Sequence, residues 1–320
     1  MKSKGCDRME QKVEEYLDIF HQMNQQLKWT DDRTLMMAAS VYAVHGAGFD
    51  VDRYVNLCEH IKEESGFFSH LKSNVRFSVA AVLDVKFEDP EAAFVRFSEA
   101  YDKLIDVGFK RSPFTYLAAL VLLQTDQVDA ERARLVYDSM KSEHPFITTN
   151  DDYPLAVLLA ERDGDIDTLM DEIEHIYRTL NSHGFWKGNN LQFLSHILSL
   201  DETHRPEERI NQTLLVYDEL KRIGMKPKGM HYPEVGMLAL MKQPQQEVPH
   251  IQTVKDSLDR EKHLKWHKDV NYKLAVQLVL SEELAMMETG LFTSMEVVMQ
   301  AQQVALMAGV AGAAAASGGE

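Results

Sequence analysis

The sequence is poor in cysteine, in positive charge and in long apolar segments, and each shortage excludes a class of protein. Only Cys6 and Cys58 occur in 320 residues, too few for a disulfide framework and typical of a reducing compartment. The 34 Lys and Arg are outnumbered by 50 Asp and Glu, and the resulting net charge of −16 disfavours binding to nucleic acid. No apolar run follows the N-terminal residues, so we expect a cytoplasmic protein without a secretory signal.

The C-terminal region is the one place where the sequence suggests contact with a membrane. Residues 304–316 are uninterrupted by polar side chains, but this stretch is shorter than the roughly 20 residues that span a bilayer. It also consists largely of Ala and Gly, which gain little by entering lipid. We therefore predict no membrane span, and membrane contact of this segment is a minor alternative.

Seven apolar anchor residues recur along the chain at spacings between 37 and 42 residues. Three residues after each anchor comes Ala or another apolar residue, and a nearly continuous apolar run follows. The anchors are Leu35, Phe77, Tyr116, Tyr153, Leu191, Tyr232 and Tyr272. A period of 20 to 50 residues is typical of stacked supersecondary units. A helix that is apolar all round must be buried on most sides, so each anchor marks a buried helix.

An amphipathic segment precedes each buried helix, with apolar residues at intervals of three and four. Tyr137, Tyr177 and Tyr217 repeat at intervals of 40 in these segments, and Tyr101 holds the matching place one unit earlier. We expect this tyrosine ladder to pack between helices, although it could line a groove for a peptide. Seven residues after Tyr101, Tyr177 and Tyr217 stands a glycine, which fits the left-handed residue that ends a helix.

These patterns predict an all-α fold, an α-α superhelix of about seven helical hairpins with an Ala/Gly-rich C-terminal helical tail. No segment alternates apolar and polar residues as a half-buried strand would. Six hairpins are predicted in residues 1–241, at 9–46, 50–87, 90–124, 129–160, 165–200 and 207–241. Residues 242–250 are predicted to form a linker, 251–284 the seventh hairpin, and 285–320 the Ala-, Gly- and Met-rich tail.

Few residues form patterns that carry chemistry. Glu172 and His175 form Glu-x-x-His on a predicted helix, but a carboxylate-bridged di-iron site needs two such motifs, so we expect a solvated helix face. Cys58 and His60 are two residues apart on a predicted helix and should point to different sides, which disfavours a catalytic pair and leaves Cys58 as a core residue.

The paired carboxylates Asp31–Asp32 and Asp151–Asp152 are explained by their positions at predicted helix starts, where they would cap the first turn. The densest basic stretches, 221–228 and 262–268, are short and lie beside acidic residues. The sequence therefore predicts no catalytic, cofactor-binding or metal-binding residue, and the protein is more plausible as a binding protein than as an enzyme.

Two surface features could contact a partner. Trp29, Trp186 and Trp266 all precede a buried helix, where we expect them to staple the two helices of a hairpin. In the tail, small residues four positions apart would form one helical ridge that lets another backbone approach closely. These possible partner contacts are Ala301, Ala305, Gly309 and Ala313. The alternative for this tail is a frayed terminus.

Residues 216–227, followed by Tyr232, resemble a pentatricopeptide repeat. That family reads single-stranded RNA with a polar residue directly after the helix-opening aromatic. The corresponding positions here are Ser78, Leu117, Pro154, Gln192, Pro233 and Lys273. Leu and Pro cannot read a base, so this resemblance implies a similar architecture and no RNA code.

The chain as a whole resembles an uncharacterised family of Bacillus-type bacteria, domain of unknown function 4003. Three features support that resemblance: the opening helix at residues 16–29, the following helix with Leu35–Ala39, and the Ala-rich ending. The family implies no activity, cofactor or site.

The function favoured by the sequence is that of a cytoplasmic interaction or adaptor protein, which binds a protein partner or a second copy along the array or through the tail. An enzyme whose site is assembled between units is one alternative. A single-stranded RNA binder is another, disfavoured by the net charge.

Overall fold

The computed structural model describes residues 4–67, 69–125 and 128–284, together with Met295, Val298 and Met299. All regular structure in these residues is helical, and no strand occurs among them. This confirms the prediction of an all-α helical array.

Two α-helices lie in each of seven consecutive units, so that the odd-numbered helix opens a unit and the even-numbered helix closes it. The helices are α1 (Lys4–Gln26), α2 (Asp32–His45), α3 (Val51–Glu64), α4 (Val75–Lys86), α5 (Pro90–Asp106), α6 (Pro113–Gln124), α7 (Ala130–Glu143), α8 (Tyr153–Leu159), α9 (Ile166–Ser182), α10 (Asn189–Leu198), α11 (Pro206–Arg222), α12 (Tyr232–Ala239), α13 (Pro244–Arg260) and α14 (Lys268–Leu284). Short 3-10 turns at His70–Lys72, Asn150–Asp152 and Gly229–His231 precede α4, α8 and α12.

The even-numbered helices form the core because their apolar residues leave no polar face to present to water. In α2, ten consecutive residues from Thr34 to Ala43 are buried. All seven anchors found in the sequence lie in even-numbered helices and are buried. The odd-numbered helices are amphipathic and cover this core from outside.

Side chains of the outer helices pack on the anchors of their own units. Tyr101 stacks on Tyr116 with ring centroids 4.2 Å apart, and Tyr137 meets Tyr153 edge-on at 4.8 Å. Both outer tyrosines are buried, so this part of the tyrosine ladder contributes to packing inside the units. The hairpin turns use glycine as predicted, since Gly108, Gly184 and Gly224 all have φ between +86° and +100°.

The array closes on itself. Each inner helix packs against the inner helices of the neighbouring units, and α14 of the last unit packs against α2 of the first. Outside them, α13 packs against α1. Polar contacts join the same two units, because Lys12 Nζ lies 3.0 Å from Glu282 Oε1 and Arg33 Nε donates to His267 Nδ1 at 3.3 Å. The protein is therefore a ring of seven hairpins with the even-numbered helices inside.

The predicted linker at residues 242–250 is wrong, because α13 begins at Pro244 and includes the rest of that segment. Pro244 lies in the first turn of the helix, where its missing N–H costs nothing, and Pro249 is accommodated inside it. Val248 and Ile251 begin an apolar stripe that is fully buried. The two prolines and the glutamines between them obscured this helical spacing in the sequence.

Three residues of the tail belong to the described structure. Met295, Val298 and Met299 are helical, are spaced by three and four residues, and are buried as part of the same hydrophobic core as the ring. The predicted small-residue ridge of Ala301, Ala305, Gly309 and Ala313 lies outside the described residues.

Candidate functional site

The two ends of the ring are formed by different sets of loops. Because the helices of each hairpin are antiparallel, the seven loops from an outer to an inner helix lie at one end, which we call the loop face. The loop face comprises residues 27–31, 65–67, 69–74, 107–112, 144–152, 183–188, 223–231 and 261–267. The opposite face comprises the connections from inner to outer helices, residues 46–50, 87–89, 125, 128–129, 160–165, 199–205 and 240–243.

Hydrogen bonds between successive units confirm that the loop-face segments adjoin one another. The backbone N–H of Trp186 donates to the hydroxyl of Tyr232 in the next unit at 3.1 Å. Asn189 Nδ2 donates to Asp151 Oδ2 of the preceding unit at 2.9 Å. Lys228 Nζ lies 3.3 Å from Asp269 Oδ1, which joins the sixth and seventh units.

Large aromatic side chains project from the loop face into solvent. The exposed fractions are 102 % for Trp29, 95 % for Phe146, 80 % for Trp186 and 81 % for Trp266, and Phe67 is also exposed. The expectation that the three tryptophans staple their hairpins is therefore wrong.

Other apolar residues of the same loops fill the space between the two helices of each hairpin. Phe185 is buried directly before Trp186, and Leu264 is buried two residues before Trp266. Since that position in the hairpin is already occupied, the neighbouring tryptophan is left outside the core. Five units thus present an aromatic ring to solvent at the loop face.

The loop face is basic in a protein whose net charge is −16. It contains nine exposed cations and four carboxylates. The cations are Lys28, Lys72, Lys110, Arg111, Lys187, Lys226, Lys228, Lys262 and Lys265, and the carboxylates are Asp31, Asp151, Asp152 and Glu261. The described residues of the opposite face reverse this balance, with nine carboxylates and three cations. Those carboxylates are Asp50, Glu88, Asp89, Asp129, Glu161, Asp163, Asp165, Asp201 and Glu202, and the cations are Arg162, Arg205 and Lys242.

A cavity of about 340 Å³ opens between the sixth and seventh units at the loop face, and we call it the basic pocket. Lys226 and Lys228 from one unit and Lys255 and Lys268 from the other line its walls. Three of these lysines belong to the two short basic stretches of the sequence. Stacking of consecutive units therefore brings together cations that are about 40 residues apart in the chain.

The charge of the basic pocket is only partly balanced by carboxylates. Lys228 pairs with Asp269 at 3.3 Å, and Lys255 pairs with Asp259 at 2.6 Å. Lys226 and Lys268 are exposed and have no carboxylate partner within the ion-pairing distance in the described part of the chain. The pocket therefore retains positive charge that an anion could neutralise.

His231 and Tyr272 form the inner wall of the basic pocket, with ring centroids 4.4 Å apart. The backbone N–H of Lys228 donates to Nδ1 of His231 at 3.2 Å, and burial lowers the pKa of this histidine. The neutral ring then bears its proton on Nε2. The hydroxyl of Tyr272 is buried without a hydrogen-bond partner among the residues that the structure describes, and burial raises its pKa. The wall thus offers two neutral donors.

A buried ion pair joins the inner helices behind the basic pocket. Lys273 Nζ of α14 lies 2.9 Å from Glu234 Oε1 of α12, and the side chains of both residues are less than a tenth exposed. A buried pair of this kind is geometrically demanding, because each charge has lost its hydration. It fixes the register of the sixth unit against the seventh.

The junction between the fourth and fifth units is also polar, and side chains of the two units pair across it. His144 Nε2 contacts Glu174 Oε1, and this hydrogen bond is the main reason that the pKa of Glu174 is lowered. Gln192 Nε2 donates to Thr148 Oγ1 at 2.8 Å. Burial lowers the pKa of nearby His196 to about 3, so that this ring is neutral. These contacts hold one unit against the next.

The Glu-x-x-His motif does not form a single site. Glu172 lies 2.9 Å from both Arg162 and Arg209, whereas His175 lies 3.4 Å from Glu207. The solvated-face expectation is correct for His175, which is about half exposed, and wrong for Glu172, which pairs with two arginines and is only 18 % exposed. In the described ranges no three His, Cys, Asp or Glu side chains are arranged to hold a metal ion.

The other residues considered in the sequence have structural roles. Cys58 is buried, and burial raises the pKa of its thiol to about 12, so it is a core residue without thiolate reactivity. Asp31 caps α2, with its carboxylate accepting from the Arg33 N–H at 2.9 Å. Asp152 accepts from the Thr149 N–H at 2.9 Å but is fully buried, which raises its pKa to about 8.

The basic pocket and the aromatic rim were missed in the sequence for different reasons. An aromatic residue in most of the seven turns was a visible signal, but nothing local distinguishes an exposed turn residue from a stapling one. The lysines of the pocket lie in two units, so only the stacking order places them together. No helix in the described ranges is long and apolar enough to cross a bilayer.

Comparison with known proteins places the chain in a family. The family model described as "Protein of unknown function (DUF4003)" matches residues 19–304. The chain is similar to "Uncharacterized protein YeaA" of Bacillus subtilis (strain 168), with 36 % identity over 97 % of each chain. No solved structure matches significantly.

Proposed function

Taking as a premise that this chain belongs to the DUF4003 family of proteins of unknown function, we propose from its structure that it is an interaction protein whose loop face docks on an anionic lipid surface. The observation that supports this proposal is the ring of exposed aromatic side chains among lysines at one end of the molecule. Aromatic rings partition into the headgroup region of a bilayer, and each nearby Lys or Arg adds about 1 kcal/mol of attraction to anionic lipid.

The kind of cation favours lipid over a protein partner. Eight of the nine cations on the loop face are lysines, and Arg111 is the ninth. Protein interfaces are enriched in Arg and depleted in Lys, because guanidinium groups lose less hydration and bind carboxylates with two hydrogen bonds. A lipid surface requires no such geometry from the ammonium group, which can remain hydrated.

The arrangement of the aromatic rings also favours a deformable surface. Trp29, Phe67, Phe146, Trp186 and Trp266 come from the first, second, fourth, fifth and seventh units. Hot spots of protein interfaces cluster in a well-packed centre, and single-stranded RNA needs neighbouring rings along a groove. Separate rings at the tips of separate loops can instead each insert into a bilayer surface.

The opposite face supports a defined orientation of the docked ring. Its excess of carboxylates is repelled by anionic lipid, whereas the loop face is attracted. The overall charge of −16 therefore does not prevent docking, because the attraction depends on the cations within a Debye length of the surface.

Co-sedimentation of the full chain with vesicles tests this proposal. Phosphatidylcholine vesicles with and without phosphatidylglycerol are compared for the wild type and for the triple variant Trp29→Ala, Trp186→Ala, Trp266→Ala. We expect binding only to the anionic vesicles, weakened by salt, and a loss of about tenfold or more in the triple variant. The fold should be unaffected, because all three side chains are exposed.

The matched control removes three other exposed apolar side chains, which lie on the outer helices. Val95, Leu135 and Leu215 are between 55 % and 58 % exposed, and changing all three to Ala should leave vesicle binding unchanged. Equal losses in both triple variants, or no binding of the wild type to anionic vesicles, would overturn the proposal. Binding of mixed single-stranded RNA that requires the tryptophans, without vesicle binding, would instead assign the face to RNA. Tryptophan-dependent binding to one purified acidic protein would restore the adaptor function favoured by the sequence.

A further inference from the structure

The basic pocket between the sixth and seventh units is a separate feature from the aromatic rim. None of the exposed aromatic residues lines it, and its cavity of about 340 Å³ has the size of sites that hold small molecules. We propose that this pocket binds a phosphate monoester or diphosphate group. The inference goes beyond docking on lipid and does not depend on the exposed aromatic side chains.

Charge is the first reason for assigning a phosphate group. Four lysines from two units converge on one cavity, and a single lining carboxylate, Asp269, opposes them. Asp269 is already paired with Lys228, whose Nζ lies 3.3 Å from its Oδ1. Lys226 and Lys268 remain available. A group with two negative charges would neutralise both, and lysine ammonium groups are common ligands of phosphate.

Buried donors on the inner wall are the second and independent reason. Tyr272 lines the cavity, and its hydroxyl is buried and has no hydrogen-bond partner among the described residues. The Nε2 of His231 is also buried, and it lies 3.6 Å from Asp269 Oδ1, beyond hydrogen-bond distance. Buried polar atoms nearly always have a partner in folded proteins, so two orphaned donors at one cavity indicate an acceptor that is supplied by a ligand. Phosphate oxygens accept hydrogen bonds without needing a proton donor in return.

The structure around the pocket favours a preformed site. One wall comes from the sixth unit, with Met225, Pro227 and His231, and the other from α13 and α14. The buried pair Glu234–Lys273 joins the two units behind the wall at 2.9 Å. The walls are therefore held at a fixed separation, and binding need not order them first.

Two sources could supply the phosphate group, a soluble phosphorylated compound or the headgroup of a phosphomonoester lipid. The pocket opens at the same end of the ring as the aromatic rim, so both can reach it. Titration calorimetry of the full chain with inorganic pyrophosphate and with inorganic phosphate measures the shared chemistry. Vesicles that contain phosphatidic acid or phosphatidylglycerol at equal total charge then distinguish the two sources.

The decisive variants remove the available charges and the buried donor. For Lys226→Gln with Lys268→Gln we expect pyrophosphate affinity to fall about tenfold or more. For Tyr272→Phe we expect a loss of about threefold or more without loss of folding, because the hydroxyl has no partner to lose. The matched control, Lys110→Gln with Lys187→Gln, removes the same charge from the same face outside the pocket and should keep the wild-type affinity.

Preference for phosphatidic acid that disappears in the pocket variants identifies a lipid headgroup, and pyrophosphate binding without that preference identifies a soluble ligand. Absence of pyrophosphate and phosphate binding in the wild type would overturn the proposal. Equal losses in the pocket and control variants would overturn it too, because they would show attraction to the face as a whole. The triple tryptophan variant should keep its affinity for pyrophosphate, so failure of lipid docking and failure of the pocket are distinguishable.

Discussion

The two ends of the ring use charge in opposite ways. At the opposite face, Glu172 of the fifth unit bridges Arg162 of the fourth and Arg209 of the sixth, with both distances at 2.9 Å. Arg162 also donates to the carbonyl of Ser199 at 2.9 Å. These charged side chains are paired with one another and hold three successive units together.

The cations of the loop face are exposed, and several of them have no acidic partner among the described residues. Arg132 of the outer helix α7 differs from these cations, because its guanidinium group donates to three backbone carbonyls at the end of α8. These are the carbonyls of Ala160, Arg162 and Gly164. Charged side chains that are paired within the protein stabilise the fold. Charged side chains that are left unpaired can bind a ligand or another surface. This comparison leads to predictions about stability that can be ranked by size.

The largest effect is expected from Glu172→Gln, which removes the common partner of two arginines at the opposite face. Arg209 is only 3 % exposed, so it would be left as a buried and uncompensated charge. We expect the free energy of unfolding in urea to fall by about 3 kcal/mol. The control Glu207→Gln removes an exposed carboxylate near His175 and should cost less than about 0.5 kcal/mol. A loss below about 1 kcal/mol for Glu172→Gln would mean that this network is not structural.

Asp152→Asn tests the one fully buried carboxylate of the loop face. Burial raises its pKa from an ordinary 3.8 to about 8, so between these values the folded protein holds a proton that the unfolded chain releases. The contribution of Asp152 to stability therefore becomes less favourable as pH rises from about 4 to about 8. The variant should match the wild type near pH 4 and be more stable by about 1–3 kcal/mol above pH 8.

Urea unfolding at a series of pH values measures this difference. Asp165→Asn is the control, because Asp165 is an exposed cap whose carboxylate accepts from the Thr168 N–H at 3.0 Å, a role that Asn also performs. It should leave the slope of stability against pH unchanged. A variant at Asp152 that loses stability at pH 8 would show that the carboxylate is charged and paired in the folded protein.

The smallest effect is expected from Lys226→Gln with Lys268→Gln in the basic pocket. Neither lysine has a carboxylate partner in the described part of the chain, and each lies near other cations, so the change in the free energy of unfolding should stay within about 0.5 kcal/mol. Thermal unfolding without ligand measures it. A loss above about 1 kcal/mol would give these lysines a structural role like that of the arginines at the opposite face.

Much of the fold could be predicted from local patterns. The anchors such as Leu35 and Tyr153 are buried in inner helices because a helix without a polar face has no stable exposed orientation. Gly108 and Gly224 end outer helices because a left-handed residue is needed there. These features depend on residues a few positions apart, and the sequence displays such neighbours directly.

The candidate sites could be predicted much less well. Trp186 is exposed because the adjacent Phe185 already fills the space between the two helices of the hairpin. No periodic pattern in the sequence indicates which of these two neighbouring aromatic residues is buried. Glu172 is mostly shielded from solvent because arginines from two other units pair with it, although its own helix gives it a polar setting. For α13, prolines that normally interrupt a helix fall where the helix tolerates them.

The sequence by itself determined the repeating hairpin, the identity of the buried helices and the residues available at each turn, because helix periodicity and turn chemistry are local. The tertiary structure decided that the seven units close into a ring, that lysines of two units share one pocket, and that the two ends differ in free charge. Closure depends on a small rotation between neighbouring units that accumulates over all seven, and no single unit encodes that sum.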